Sequence, residues 1–515
     1  MSLVDPATPI PDPATFGHVH LVGVGGVSMS GLATIMRARG LAVSGSDARD
    51  SRELTALRAL GVRTTVEHDA AAVADADTVV VSSAIAADNP EVLAARARGV
   101  PVLPRVVALV ALTRGRRVAT VAGTHGKTTT TSMLTVALQG AGADPSFAIG
   151  GQLADTGAGA HEGGGTVFVA EADESDGSFL LFTPEVAVVT NVESDHLENW
   201  GTAARYAEAF AEHAARVGPG GVLVVDVDDA GGAELATAAR ARYAADSGAA
   251  SALDSGAASG PGSASGRGPV SAPGAPGSRP AARRVLGVGH GPQADVLITG
   301  TALTGAGCRA TLTGPGWEVP VALRVPGLHN VQDAALAVTA AVALGVQPAA
   351  AAGALAGFRG ARRRFESRGT AGGVRVVDDY AHLPTEVSAA LAAARQVVSG
   401  SGRVVVVFQP HLYSRTLSYA AEFGRALGAA DEVVVMDVYA AREAPRAGVT
   451  GALVADAVPL PPGRVVFERR WVAVPALVAE RVRPGDLVLT VGAGDVTLVG
   501  PEVLSLLEAR SGGGR

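Results

Sequence analysis

Seven consecutive residues, Gly123-Thr124-His125-Gly126-Lys127-Thr128-Thr129, combine two glycines, a lysine and three hydroxyls. That combination suits phosphate. Glycine lets backbone N–H groups approach an anion without a Cβ in the way. Lys127 would bring a point charge to β- and γ-phosphates, and the Thr128 hydroxyl would sit on Mg²⁺. Further on, Glu171, Asp173, Glu174 and Asp176 place four carboxylates within six residues. Like charges so close repel unless cations neutralise them. His196 follows Glu193 and Asp195. Arg362-Arg363-Arg364 precede Asp378-Asp379, and His411 stands four residues before Arg415. An arginine matches a carboxylate through paired hydrogen bonds. Near the start, Gly23-Val24-Gly25-Gly26 leads on to Ser46-Asp47.

These residues need elements to position them. Residues 118–122 are an apolar, β-branched run, and 132–138 read as a helix. Strand, glycine turn, Lys-Thr and helix make a nucleotide phosphate cradle, because helix N-terminal N–H groups and the helix dipole favour anions. The pattern G-x-x-x-x-G-K-[ST] wants glycine at 121, where this chain has Val121. The competing reading is a plain glycine turn with a surface lysine. Apolar runs at 166–170 and 186–190 are expected strands that deliver Glu171 and His196 at their C-terminal ends, where α/β sheets place functional groups. Upstream, a strand at 18–22, a helix at 30–39 stopped by Gly40, and strands at 42–47, 62–65, 78–83 and 102–105 form βα repeats. Ser28 stands where a dinucleotide turn has its third glycine. Asp47 reads either as a ribose ligand or as a helix cap. An NAD-dependent oxidoreductase would share this first unit.

A chain of 515 residues implies two to three domains. The net charge of −7 gives no reason to expect nucleic acid as a partner. Cys308 is the single cysteine, which excludes an internal disulfide and fits a reducing, cytoplasmic setting. The first residues carry no signal-peptide pattern, and no apolar run is long enough for a membrane span. Residues 246–282 are rich in Gly, Ala, Ser and Pro without apolar period, and are expected to be a disordered insertion.

The shortened loop G-T-H-G-K-T resembles the ATP loop of the Mur ligase family, whose members join an amino acid to a UDP-linked muramyl carboxylate. Glu171-Ala172-Asp173-Glu174-Ser175-Asp176, the Asn191 to His196 stretch and Asp378-Asp379-Tyr380 with His382 and Pro384-Thr385-Glu386 match that family. Phe408-Gln409-Pro410-His411 with Ser414-Arg415-Thr416 points to the subgroup whose partners are UDP-N-acetylmuramate and L-alanine. A relative that attaches a whole recycled tripeptide to the same UDP-sugar remains an alternative.

The resemblance implies an α/β fold of three domains with mainly parallel sheets. They are a Rossmann-like UDP-sugar domain (1–115), a P-loop ATPase domain (116–360) and a Rossmann-like amino-acid domain (361–515). It implies ATP and Mg²⁺ as cofactors, peptidoglycan precursor synthesis as the setting, and a monomer or homodimer. Thr128 and Glu171 would hold one Mg²⁺, and Glu171 with His196 a second. Asn330 would lie near adenine and ribose, although Asp333 replaces the family's second asparagine there. Either Arg363 or Arg364 would reach across to ATP, and Asp379 would help lock a closed form. Gly25, Gly26, Ser46, Asp47 and Ser83 would hold the UDP-sugar; His382, His411 and Arg415 would hold the amino acid.

Overall fold

The computed structural model describes residues 3–256, 281–304, 307–398, 400–441 and 443–512. Three sheets follow one another along the chain. In the first, five parallel strands take the sequence order 3-2-1-4-5, from His18–Val22 at the centre to Val102–Pro104 at one edge. The helix Val27–Ala38 begins three residues earlier than the periodicity indicates, because Gly26 takes an extended backbone and serves as its N-cap. Gly40, with φ of 85°, closes it as expected.

The second sheet has ten strands. At its centre Arg117–Ala122 runs parallel between Val167–Glu171 and Val186–Val189. All three are buried on both faces, which explains why they read as continuous Val/Ala runs without alternation. Trp317–Leu323 and Gly307–Gly314 extend one edge antiparallel, as the added β region. The third sheet has six strands; Val374–Asp379, Val404–Phe408, Glu432–Met436 and Leu487–Val491 are among its parallel members.

The helix Lys127–Gly140 carries five hydroxyl residues in its first two turns, a poor helix-forming composition. Back-bonding compensates: the hydroxyls of Thr131, Ser132 and Thr135 donate to carbonyls one turn earlier at 2.7–2.8 Å. Packing against the Ala-rich helix Leu328–Ala343 does the rest.

Part of the expected insertion is ordered. The helix Ala230–Gly256 carries through the first residues of 246–282, consistent with the helix propensity of Ala249, Ala250 and Ala252. Residues 257–280 lie outside the described residues. Among the described residues no helix is long and apolar enough to cross a membrane.

Candidate active site

Parallel neighbours end at the same sheet edge, so the loop after Arg117–Ala122, Glu171 at the end of its strand, and the segment 190–196 converge. Gly126 is the N-cap of the phosphate-loop helix, with φ of 76°. That left-handed backbone aims the first helical N–H groups into the cleft, and a side chain there would be strained. Lys127 folds back over the loop. Its Nζ donates to the carbonyls of Gly123 at 2.6 Å and Thr124 at 3.1 Å, and to Glu174 Oε1 at 3.0 Å. Burial pulls the Lys127 pKa down, but Glu174 and Asp173 outweigh it and the ammonium is held. Trp200 Nε1 donates to the Glu174 carbonyl, and Thr124 Oγ1 meets Tyr206 OH at 3.0 Å, so an aromatic cluster backs the loop.

Thr128 Oγ1 donates to Glu171 Oε1 at 3.1 Å, and Gly150 N donates to Glu171 Oε2 at 2.8 Å. Gly150 is needed here: a Cβ on it would lie 2.3 Å from Glu171 Oε1. Adjacent ligands of an octahedral Mg²⁺, bound at about 2.1 Å, lie about 3.0 Å apart. The Thr128 and Glu171 oxygens match that edge, and both are hard donors, so the pair fits the ion. Glu171 and His196, the pair expected at a second ion, line the same cleft but are not in contact. His196 Nε2 lies 3.3 Å from Asp195 and 3.9 Å from Glu174, while Glu171 faces Thr128 and Gly150. Among the described residues no group of three or more His, Cys, Asp or Glu side chains is placed to hold a metal.

The third sheet's unit closes over this edge. Arg364 Nη2 lies 3.5 Å from Thr128 Oγ1, which makes Arg364 the arginine that reaches across. Arg363 does not. Its guanidinium donates to the carbonyls of Gly492 at 2.6 Å and Gly494 at 3.3 Å and pairs with Asp378 at 3.3 Å. Asp379 accepts from the backbone N–H groups of Phe365 at 2.7 Å and Ala381 at 2.8 Å. It therefore fixes the loop that carries Arg364, instead of pairing with an arginine across the hinge. Burial pushes its pKa up to about 6, against the pull of Arg364.

A cleft of about 580 Å³ opens where the three units meet. Val27 and Arg52 line it from the first, Lys127, Thr128, Glu171 and Asp195 from the second, and Arg364 and His382 from the third. A cavity of about 260 Å³ beside it holds Thr129, Asn330, Asp333 and Asp379. Asn330 is not a helix cap, since Gly327 occupies that position; its amide donates to the Pro326 carbonyl at 2.6 Å. Asp333 accepts from Thr130 Oγ1 at 2.9 Å, and burial raises its pKa to about 7.

The expected amino-acid residues also meet. The rings of His382 and His411 are 5.8 Å apart, and His411 Nδ1 lies 3.3 Å from Arg415 Nη1. Desolvation lowers the His382 pKa to about 4. In the first unit, Gly25, Gly26, Asp47 and Ser83 share the C-terminal edge of their sheet. Asp47 accepts from Gly25 N at 2.9 Å and is no helix cap, because Ser51 caps the next helix. Ser46 is a correction: it is fully buried and donates to Glu91 at 2.6 Å, since alternate residues of a strand face opposite sides.

Two contacts that bind the units together pair residues that the sequence does not bring together. Asp195 accepts from Arg415 at 2.9 and 3.2 Å. His125 sits between Glu193 at 3.1 Å and Glu386 at 3.2 Å. Burial lowers the His125 pKa, but hydrogen bonds to both carboxylates override it and carry it up to about 9. Because this pKa lies above the ordinary value of 6.5, the clasp contributes fully below that pH and is lost as pH rises through about 9. Thermal melts of wild type and His125→Gln should therefore differ by a few degrees at about pH 6 and converge by about pH 10. A gap that does not change with pH contradicts this.

Three family models match in chain order: "Mur ligase family, catalytic domain" over residues 18–117, "Mur ligase middle domain" over 121–255, and "Mur ligase, glutamate ligase domain" over 363–494. The chain belongs to the Mur ligase family. A UDP-N-acetylmuramate–L-alanine ligase of Kineococcus radiotolerans is 55% identical over 96% of this Mur ligase and 98% of the relative. One from Saccharopolyspora erythraea is 53% identical over 97% and 95%. Among solved structures, the UDP-N-acetylmuramate-alanine ligase of Thermotoga maritima superposes with a TM-score of 0.74 at 27% identity, covering 96% of this chain and 99% of that one. A murein peptide ligase of Psychrobacter arcticus, 22% identical with a TM-score of 0.66, covers 96% and 99% and shares the fold. Family membership removes the oxidoreductase alternative for this Mur ligase.

Proposed function

We propose that this chain is a UDP-N-acetylmuramate–L-alanine ligase that uses ATP and acts in peptidoglycan precursor synthesis. The observation that carries this reading is the cleft lined jointly by Lys127, Thr128, Glu171 and Arg364, with His382 at its wall and His411 and Arg415 packed next to His382. Identity of 55% over nearly the whole length to an L-alanine ligase supports the acceptor.

A carboxylate is a poor acyl donor because oxide leaves badly. In the first step a lactyl carboxylate oxygen attacks the γ-phosphorus of ATP, the bond to the ADP oxygen breaks, and an acyl phosphate forms. In the second, the ammonium of L-alanine gives up a proton, the resulting neutral amine attacks the acyl carbon, the C–N bond forms, phosphate departs and the nitrogen loses its second proton. Phosphoryl transfer asks mostly for positioning and charge neutralisation. The loop N–H groups and Lys127 cradle the β- and γ-phosphates, and Arg364 adds charge from the opposite wall. Mg²⁺, held by Thr128 and Glu171, would supply further neutralisation of phosphate oxygens. Gly25, Gly26, Asp47 and Ser83 hold the UDP-sugar at the edge of the first sheet, and Asn330 with Thr129 lines the nucleoside pocket. Closure keeps water from the acyl phosphate.

The assay is phosphate release from ATP with UDP-N-acetylmuramate present. Release should depend on L-alanine, and L-alanine should outcompete the recycled tripeptide as acceptor. No release with any amino acid rejects the reading, and preference for the tripeptide reassigns it.

A further inference from the structure

The expected ligand of Arg415 is a carboxylate, yet its guanidinium is already engaged. It lies on the helix Tyr413–Leu427 with its side chain only 6% exposed, against an Asp195 side chain that is 7% exposed. Nη2 donates to both Asp195 oxygens, at 2.9 and 3.2 Å, while Nη1 faces His411 at 3.3 Å. Asp195 Oδ1 also accepts from the His196 backbone N–H at 2.8 Å, which fixes the carboxylate at the cleft wall. The pair joins the second and third units across 220 residues of sequence.

A second carboxylate arriving at Arg415 has to displace the resident one. That leaves the buried Asp195 carboxylate without its guanidinium partner and with only the His196 side chain, Nε2 at 3.3 Å, beside it, which is unfavourable. A molecule that carries a cation beside its carboxylate removes the difficulty, because the cation replaces the guanidinium at Asp195. An α-amino acid is such a molecule, with its two opposite charges on substituents of one carbon.

We propose that the acceptor amino acid opens the Asp195–Arg415 ion pair and inserts into it as a zwitterion, its carboxylate on Arg415 and its ammonium on Asp195, which makes Asp195 a specificity-determining residue. This rests on the ligase reading above. The inserted zwitterion bridges the same two units that the ion pair bridges, so the cleft stays closed as one contact becomes two. A simple carboxylate is refused because it strands Asp195; a simple amine is refused because it strands Arg415.

The test compares L-alanine with propionate, which is L-alanine without its ammonium, as competitive inhibitor in the phosphate-release assay. In the wild type the propionate Ki should exceed the L-alanine KM by roughly 100-fold or more. Asp195→Asn leaves Arg415 without a rival carboxylate and the substrate ammonium without a partner. The ratio should then fall to about threefold or less, with the ATP KM unchanged. Asp195→Glu, which keeps the charge, should retain most of the ratio. A wild type that binds propionate as well as L-alanine overturns the proposal without any variant. So does an Asp195→Asn enzyme with an unchanged ratio, or one in which L-alanine, propionate and ATP weaken together, as a merely structural residue would give. A wild type silent toward every amino acid removes the ligase reading and this inference with it.

Discussion

Lys127→Ala should lower kcat by roughly 100- to 1000-fold, the usual effect of removing one donor aimed at charge developing in the transition state. UDP-sugar affinity should stay within about twofold, because Gly25, Asp47 and Ser83 belong to a different sheet from the loop. The free-enzyme contacts of Lys127 explain why the loss falls on chemistry. The ammonium rests on the Gly123 and Thr124 carbonyls and on Glu174, a parked position within the same loop. Incoming phosphates offer stronger acceptors than two carbonyls. Equilibrium binding of the UDP-sugar beside steady-state phosphate release separates the two effects. Turnover within about tenfold of wild type would show that the loop does not cradle the transferring phosphoryl group.

The adjacent arginines should fail in opposite ways. Arg364→Ala should cost roughly 100-fold in kcat with an unchanged melting temperature, since its guanidinium reaches Thr128 and otherwise lies over the Tyr380 ring at 5.0 Å. Arg363→Ala should instead cost about 2 kcal/mol of stability, the scale of hydrogen bonds from a charged donor. That side chain ties the Gly492 and Gly494 carbonyls to Asp378 beneath a backbone at φ of 59°. Thermal melts and kcat measured on both variants decide the assignment. A stable, inactive Arg363→Ala with an active Arg364→Ala would reverse it.

This pair also marks where sequence reading ended. The phosphate loop was legible because everything it needs is local: an apolar strand, a left-handed glycine and a helix start within some twenty residues of text. Glu171 was legible because a strand end delivers it. Arg363 and Arg364 were not separable, because their difference is one positive φ and the position of a turn 130 residues later. Ser46 was misplaced for a related reason. A motif gives neighbours in sequence, whereas a strand turns alternate neighbours to opposite faces. Strand ends alone bring His196 into the cleft of Lys127 and Glu171, as expected, but they do not show that its nearest carboxylates there are Asp195 and Glu174. The contacts that hold the units together, Asp195 with Arg415 and His125 with Glu386, join residues 220 and 261 apart. No local periodicity encodes such pairs; only the packing of the second unit against the third brings them together.

On the proposed function, a carboxylate is made electrophilic by accepting a phosphoryl group in the three-unit cleft. Transfer of oxygen tests it most directly. UDP-N-acetylmuramate carrying ¹⁸O in its lactyl carboxylate is turned over with ATP and L-alanine, and the released phosphate is weighed by mass spectrometry. One labelled oxygen should appear in each phosphate, carried over when the acyl–oxygen bond breaks. Phosphate without label, released at the same rate as amide forms, would contradict the account.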